Sequence, residues 1–366
     1  MSEKSDVLVV GAGTAGLSAA HHLAARGLRV TVLEARHPYG PTLFKEIGLG
    51  LVGLLDPESR LAAGLGASGA REVVRFSIDG VRSLAAAAER FGCPAVRGRV
   101  TRRPMNATER EALAQSVPIL RDCGATVAEE EGGVVRVEED LLVDVRAFHA
   151  GLRHGLVDVL ATTPVTRLRV DSNGVAAETP SGTRHAEIAV IASGPRVAEL
   201  RPDLVRVVFP LRGQGARFPN AFPAGSRAFG VVSQFGHENY VVETTGDLVA
   251  FGFNPAGRRE DSSLSEEPTH EFQSYLVRFA RERFPEIARI EPAKTWAAPL
   301  AFTRDGLPLV GPVPGEPRLV VAAGFCGRGL PLGFEAGSRV AALVAGDTVA
   351  IPAAFSLRRE AATGGR

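Results

Sequence analysis

Short uninterrupted apolar runs, each ended by glycine or a polar residue, open this chain. Val7-Leu8-Val9-Val10 is apolar at four successive positions and stops at Gly11. Alternate side chains of a strand point to opposite faces, so such a run predicts a strand covered on both sides. Residues 14–25, rich in Ala and Leu and followed by Gly27, predict a helix. Val30-Thr31-Val32-Leu33 predicts a second buried strand, and the chain therefore begins with a βαβ unit.

Further along, helices are predicted over residues 72–91, over 108–120 with Thr108 and Glu111 as a capping box, and over 144–160 with Phe148, Leu152 and Leu156 on one side. Leu168-Arg169-Val170 and Val175-Ala176-Ala177 flank Asn173-Gly174, which predicts a hairpin with a type I′ turn. Residues 188–191 form another apolar run, entering Ala192-Ser193-Gly194. Between 207 and 253 the texture changes to alternating strands, the pattern of an antiparallel sheet. A helix over 270–284, a strand over 319–322 and a last helix over 338–345 follow, and 357–366 read as a disordered tail.

Composition narrows the picture. A chain of 366 residues is long enough for about two domains. Forty-two basic residues against 41 acidic ones argue against a broad nucleic-acid footprint. The most apolar stretch, 47–55, is too short to span a bilayer. Three cysteines, Cys93, Cys123 and Cys326, make neither a disulfide framework nor a CxxC pair, and no signal peptide precedes the first strand. These features predict a cytoplasmic enzyme without a resident metal.

Gly11-Ala12-Gly13-Thr14-Ala15-Gly16 is GxGxxG, placed between a strand and a helix. Gly11 suits the tight turn, Gly13 lets the backbone approach a pyrophosphate, and Gly16 lets helix and strand pack closely. The helix N-terminus then offers unpaired N–H groups to the phosphates. Glu34 ends the next strand, near the spacing of about 20 residues expected of a carboxylate that binds ribose hydroxyls. These residues alone leave FAD and NAD both open.

The opening from Gly11 to Glu34, with Arg36 just after, resembles that of flavoproteins. Three later segments, Ile188 to Gly194, Pro210-Leu211-Arg212-Gly213-Gln214, and Thr303 through Gly311 to Gly329, are similar to the D-amino-acid-oxidase-like FAD oxidoreductases, which include glycine oxidase and sarcosine oxidase. The resemblance spans residues 6 to about 350. It implies an α/β fold: a Rossmann-like FAD domain from 1–80, 143–205 and 296–350, interleaved with an α+β substrate domain from 81–142 and 206–295 whose mainly antiparallel sheet roofs the flavin. It implies FAD contacts at Gly11, Gly13, Thr14, Ala15, Gly16, Glu34, Ala35, Arg36, Thr42, Leu43, Val165, Ala192, Ser193, Gly194, Gly311, Gly327, Arg328, Gly329 and Leu330.

The same resemblance implies oxidation of a C–N bond by hydride transfer to flavin N5, on a small amine or amino-acid-derived substrate. Tyr240 resembles a substrate-facing tyrosine, and His237, three residues earlier, is a candidate base. Departures bear on the substrate. Leu300 stands where amino-acid-oxidising members carry a carboxylate-clamping arginine, and Pro331 where sarcosine oxidases carry a lysine. Leucine cannot replace a bidentate guanidinium. Lys45, Arg212 and Arg328 are the cations that could take over, although Lys45 beside Glu46 also reads as a loop ion pair. Ala298 falls where sarcosine oxidases tether flavin, which implies non-covalent FAD. Ala250 falls at their oxygen-activating lysine, which leaves the acceptor as oxygen or another oxidant. An NAD-linked dehydrogenase and a non-catalytic flavin-binding subunit are the alternatives.

Overall fold

The structure is a computed structural model that describes residues 5–37, 47–98, 100–156, 158–225, 228–231, 239–242, 246–253 and 262–359, with backbone alone in 228–231 and 239–242. The predicted opening is present as β1 (Ser5–Val10), α1 (Thr14–Ala24) and β2 (Val30–Leu33). After β3 (Leu49–Gly50) comes α2 (Glu58–Arg90), which starts well before the predicted residue 72 and breaks at Gly66, φ 72°. Its first turns are rich in Gly, Ala and Ser, and burial of Leu61 holds them. The strands β4 (Ala95–Arg97) and β5 (Val100–Arg102) precede α3 (Ala107–Asp122). Its cap lies two residues earlier than predicted. Asn106 accepts from the Glu109 amide at 2.9 Å, and Glu109 accepts from the Met105 amide at 2.7 Å.

Next come β6 (Val127–Glu130), β7 (Val134–Val137), β8 (Leu141–Val143) and α4 (Val145–Arg153). The helix predicted over 144–160 is cut short. Asp144 caps it, Gly155 with φ 84° follows its end, and Asp158–Leu160 is instead a strand, β9, parallel to β2. The hairpin forms as β10 (Arg167–Asp171) and β11 (Gly174–Thr179). Asp171 pairs with Gly174, so the loop is Ser172-Asn173, and neither has positive φ; the turn is not type I′. Asp171 instead accepts the Asn173 amide at 2.7 Å, a side-chain-closed turn.

The remaining elements are β12 (Gly182–Ile191), α5 (Val197–Leu200), β13 (Val208–Phe218), β14 (Ala228–Val231), β15 (Asn239–Val242), β16 (Leu248–Phe253), α6 (His270–Arg283), β17 (Lys294–Thr303), β18 (Leu309–Val313), β19 (Glu316–Ala323) and α7 (Gly329–Val344). The last helix begins nine residues before the predicted 338, because its glycines face a neighbour rather than break it. The start of the predicted tail is ordered. Leu357 is buried, and Arg359 donates to Asp305 at 2.9 Å.

Two eight-stranded sheets dominate. The first runs β10-β11-β12-β1-β2-β9, and β19 joins the second half of β12 and carries β18. Its central pairs, β1 with β2, β12 with β1 and β12 with β19, are parallel. Val7 and Val9 pack with α1, α2 and α7 on one face, while Leu8 packs with Val175, Ala189 and Leu309 on the other. The second sheet runs β17-β13-β16-β15-β14-β5-β7-β6 and is antiparallel apart from β14 with β5. A small sheet, β3-β8-β4, completes the fold.

Candidate active site

The glycine turn sits between β1 and α1 at the ends of the central parallel strands. Gly11 has φ 105°, and a Cβ there would lie 2.5 Å from the Ala192 carbonyl oxygen. A Cβ on Gly16 would collide with the Gly11 carbonyl oxygen. Gly13 differs: it is exposed, nothing lies within 4 Å of its Cβ position, and it starts α1 without a side-chain cap. The helix thus begins with no side chain capping its first-turn amides, the kind of N-terminus that binds phosphate. Thr14 is buried, and its hydroxyl meets His149 Nε2 at 2.9 Å. Ala15 lies against α7, near Gly333 and Gly337.

Glu34 closes the other side of the turn. Its Oε2 accepts the Ala12 amide at 2.7 Å and its Oε1 the Arg36 amide at 2.9 Å. Ala35 is exposed, and Arg36 pairs with Glu266. Thr163 donates to the Glu34 carbonyl at 2.8 Å, which brings the half-buried Val165 alongside. The segment after β12 is fixed by the Ala192 amide, which donates to the Val10 carbonyl at 2.9 Å. Ser193 Oγ is buried with no hydrogen-bond partner, and Gly194 has φ 57° and an open Cβ position. Thr42, Leu43, Lys45 and His237 lie outside the described residues.

The closing segment runs from β19 into α7. Gly324, Cys326 and Gly327 all have positive φ, 75°, 49° and 80°. Cys326 is costly in that region, yet it is held: its Sγ lies 3.4 Å from both the amide and the hydroxyl of Thr303. Burial pushes its thiol up to about 11, so it is an inert neutral group at pH 7. Gly311 on β18 and Gly329 at the start of α7 have open Cβ positions, and Leu330 is buried behind them.

The second sheet presents an apolar face to this segment. Leu211, Phe251, Phe253 and Phe302 pack with Cys326, and Ile47, Leu55, Phe209 and Leu300 border them. Phe253 and Phe302 meet edge to face at 5.0 Å. A Cβ on Gly327 would lie 3.5 Å from Phe253. Leu300 opposes Leu211 in register, squarely within this face. The other face of the sheet packs on α6 through Ala216, Phe218, Leu248 and Ala250. Arg212 belongs there too, donating to the Glu267 carbonyl at 3.0 Å, while the Gln214 amide group contacts Thr269. Directly opposed residues of an antiparallel pair share a face. In the backbone register Tyr240 pairs with Ala250, Asn239 with Phe251 and Val241 with Val249.

Arg328 stands beside a buried charge cluster that no local sequence signal marks. Arg102 grips Asp140 at 2.8 Å and donates to the Val52 carbonyl at 2.9 Å, and Asp140 accepts the Val52 amide at 2.7 Å. Glu58 is 3.8 Å from Arg102, and neither of its oxygens has a hydrogen bond. Burial pushes the Glu58 carboxyl up. Burial and the neighbouring Arg102 guanidinium push Arg328 down to about 10, so it stays cationic at pH 7.

A bound dinucleotide suits these residues. Gly13, Gly194, Gly311 and Gly329 each leave their Cβ position open, Ser193 offers an unpartnered hydroxyl, and Glu34 closes the far side of the glycine turn. Fold and site thus define a flavin-dependent oxidoreductase: a parallel dinucleotide-binding sheet beneath an antiparallel apolar roof. A family model described as FAD dependent oxidoreductase matches residues 6–343. Glycine oxidase of Bacillus licheniformis is 25% identical, covering 95% of each chain. N-methyl-L-tryptophan oxidase of Salmonella arizonae is 26% identical over 89% of this chain and 91% of that protein. The crystal structure of glycine oxidase from Geobacillus kaustophilus superposes with a TM-score of 0.81 at 22% identity, covering 97% of this chain and 99% of that one. The chain belongs to the D-amino-acid-oxidase-type family of FAD-dependent oxidoreductases. It is an enzyme that uses FAD to oxidise a carbon–nitrogen bond, and the NAD-linked and non-catalytic alternatives fall away. Among the described residues, no helix is long and apolar enough to cross a membrane.

Proposed function

We propose that the substrate is an amine with an apolar body and no free α-carboxylate at the flavin, rather than a simple amino acid. One observation carries this reading: the flavin-side face of the second sheet is a run of Phe and Leu that includes Leu300. Burying a carboxylate against such a wall is costly without a cation. Of the three cations that could compensate, Lys45 is outside the described residues, Arg212 is held on the α6 side, and Arg328 lies in the field of Arg102, Asp140 and Glu58.

When bound, FAD accepts the hydride released from the carbon that bears nitrogen. The protein's own part is to seat that carbon between the closing segment and the phenylalanine face, to exclude water, and to hold the amine neutral. FAD is bound non-covalently, since Ala298 supplies no linking group. The discontinuous domains are proposed with the bounds the resemblance implies, 1–80, 143–205 and 296–350 for FAD and 81–142 and 206–295 for the substrate. Three unpaired cysteines support a cytoplasmic location.

The test is a substrate panel. FAD released by acid is quantified first, and colour retained in the pellet would contradict non-covalent binding. Glycine, sarcosine and D-alanine are then compared with apolar primary and secondary amines, in air and with an artificial acceptor. Loss of a charge-assisted clamp, about 1.5–3 kcal/mol, should leave the three amino acids at least tenfold poorer than the best apolar amine. Turnover of any of them at kcat/KM of about 10⁴ M⁻¹s⁻¹ or more would sink the proposal.

A further inference from the structure

We propose that His149 is a positioning residue for the FAD diphosphate, acting through the hydroxyl of Thr14. His149 lies on α4, 135 positions from Thr14, and both side chains are buried where they meet at 2.9 Å. The contact joins the first residue of α1 to a helix supplied by a distant part of the chain. A second tie runs the same way, since His21 Nδ1 lies 3.2 Å from the Leu152 carbonyl. Thr14 follows Gly13, the exposed residue with an open Cβ position that begins α1 without a side-chain cap.

The chemistry of the turn selects one tautomer. A diphosphate at neutral pH accepts hydrogen bonds and donates none. A threonine hydroxyl has one proton to give and lone pairs to receive. If His149 presents a lone pair at Nε2, that proton is spent on the imidazole. If Nε2 carries the proton, it donates to Thr14 Oγ1 and leaves the hydroxyl proton for a phosphate oxygen. Only the second arrangement adds a charge-assisted donor to the turn. Burial and the nearby Arg153 push the imidazole down to about 4, so the ring is neutral at pH 7 and its tautomer sets the direction of the bond. Phe148 and Leu152, buried on the same helix, hold α4 in the core and so fix the direction from which the ring approaches.

The experiment titrates FAD into apoenzyme of the wild type, His149→Leu, His149→Gln, Thr14→Val and the double variant His149→Leu/Thr14→Val. His149→Leu should weaken FAD about tenfold. His149→Gln, whose side-chain N–H can replace Nε2, should recover most of that loss. The double variant should bind no worse than Thr14→Val alone. Histidine-selective nitrogen-15 NMR of the unmutated protein should show Nε2 protonated, a readout that survives even if a variant fails to fold. Unchanged FAD affinity in His149→Leu, additive losses in the double variant, or a proton on Nδ1 alone would each overturn the proposal. A merely structural histidine would instead weaken FAD equally in both backgrounds.

Discussion

At the scale of single residues, the three motif glycines separate into distinct jobs. Gly16 and Gly11 are required by the protein itself, because a Cβ at either meets backbone. Gly13 is required by the ligand, because its Cβ would enter open space with an ordinary φ of −74°. Gly13→Val should therefore fold with nearly unchanged melting temperature and lose FAD affinity at least tenfold, about 1.4 kcal/mol. Gly16→Ala should lower the melting temperature of the apoenzyme itself. Equal melting losses in both variants would refute the distinction. The glycines and Glu34 were legible because they form a fixed local pattern between a strand and a helix, although Gly11 itself packs on the distant Ala192. His149, Glu58 and Asp140 were not. Their partners lie tens to more than a hundred residues away, and a histidine on an amphipathic helix or a lone acid before a strand has no local signature.

At the scale of elements, the packing of α7 on α1 is set by missing side chains. A Cβ on Gly337 would sit 2.5 Å from the Ala15 carbonyl oxygen and 2.6 Å from Ser18 Cβ. Ser18 also donates to the Phe334 carbonyl at 2.6 Å, so the helices are joined by a buried hydrogen bond at the same crossing. Gly337→Ala should overpack this crossing and cost about 1–3 kcal/mol, seen as a lower denaturant midpoint. Gly64→Ala, in the helical stretch before Gly66 with nothing within 4 Å, should instead be neutral or stabilising by up to about 1 kcal/mol. The reverse order of effects would mean that α7 can shift to accommodate a methyl group. Such glycines explain why α7 was predicted too short: a local reading counts Gly333 and Gly337 against a helix, whereas tertiary contact demands them. Likewise 144–160 read as one helix because Leu156 continued the apolar spacing of Phe148 and Leu152, although His154 and Gly155 end α4 and free 158–160 to extend the first sheet. The antiparallel character of the second sheet was legible as alternation, but its strand order was not. Which face meets the flavin was not, since both faces are apolar.

For the whole molecule, buried histidines make acid the weak side of stability. His149 titrates near 4 when folded, against 6.5 when exposed, and burial lowers His21 and His22 as well. A lowered folded pKa means that the unfolded chain takes up protons first. Stability is thus full above about pH 6.5 and declines as pH falls toward 4. His149 alone should cost about 2 kcal/mol between pH 7 and pH 5. Urea unfolding of apoenzyme at the two pH values, with His149→Gln beside it, checks this: the variant should lose correspondingly less. Identical pH dependence would place His149 in water rather than in the core.

The first sheet also bears on the order in which the protein can be made. The glycine turn leaves the ribosome long before its partners: the strand beside β1 that fixes Gly11 is β12, ending at Ile191, and the strand that leads into the closing segment is β19, ending at Ala323. Most of the chain must be synthesised before the two ends of the site meet. During translation the apolar run from Val7 to Val10 has β2 as a neighbour on one edge and none on the other. An unpaired buried-type edge of this kind is a template for wrong pairing. A complete flavin site therefore waits until β19 has been made.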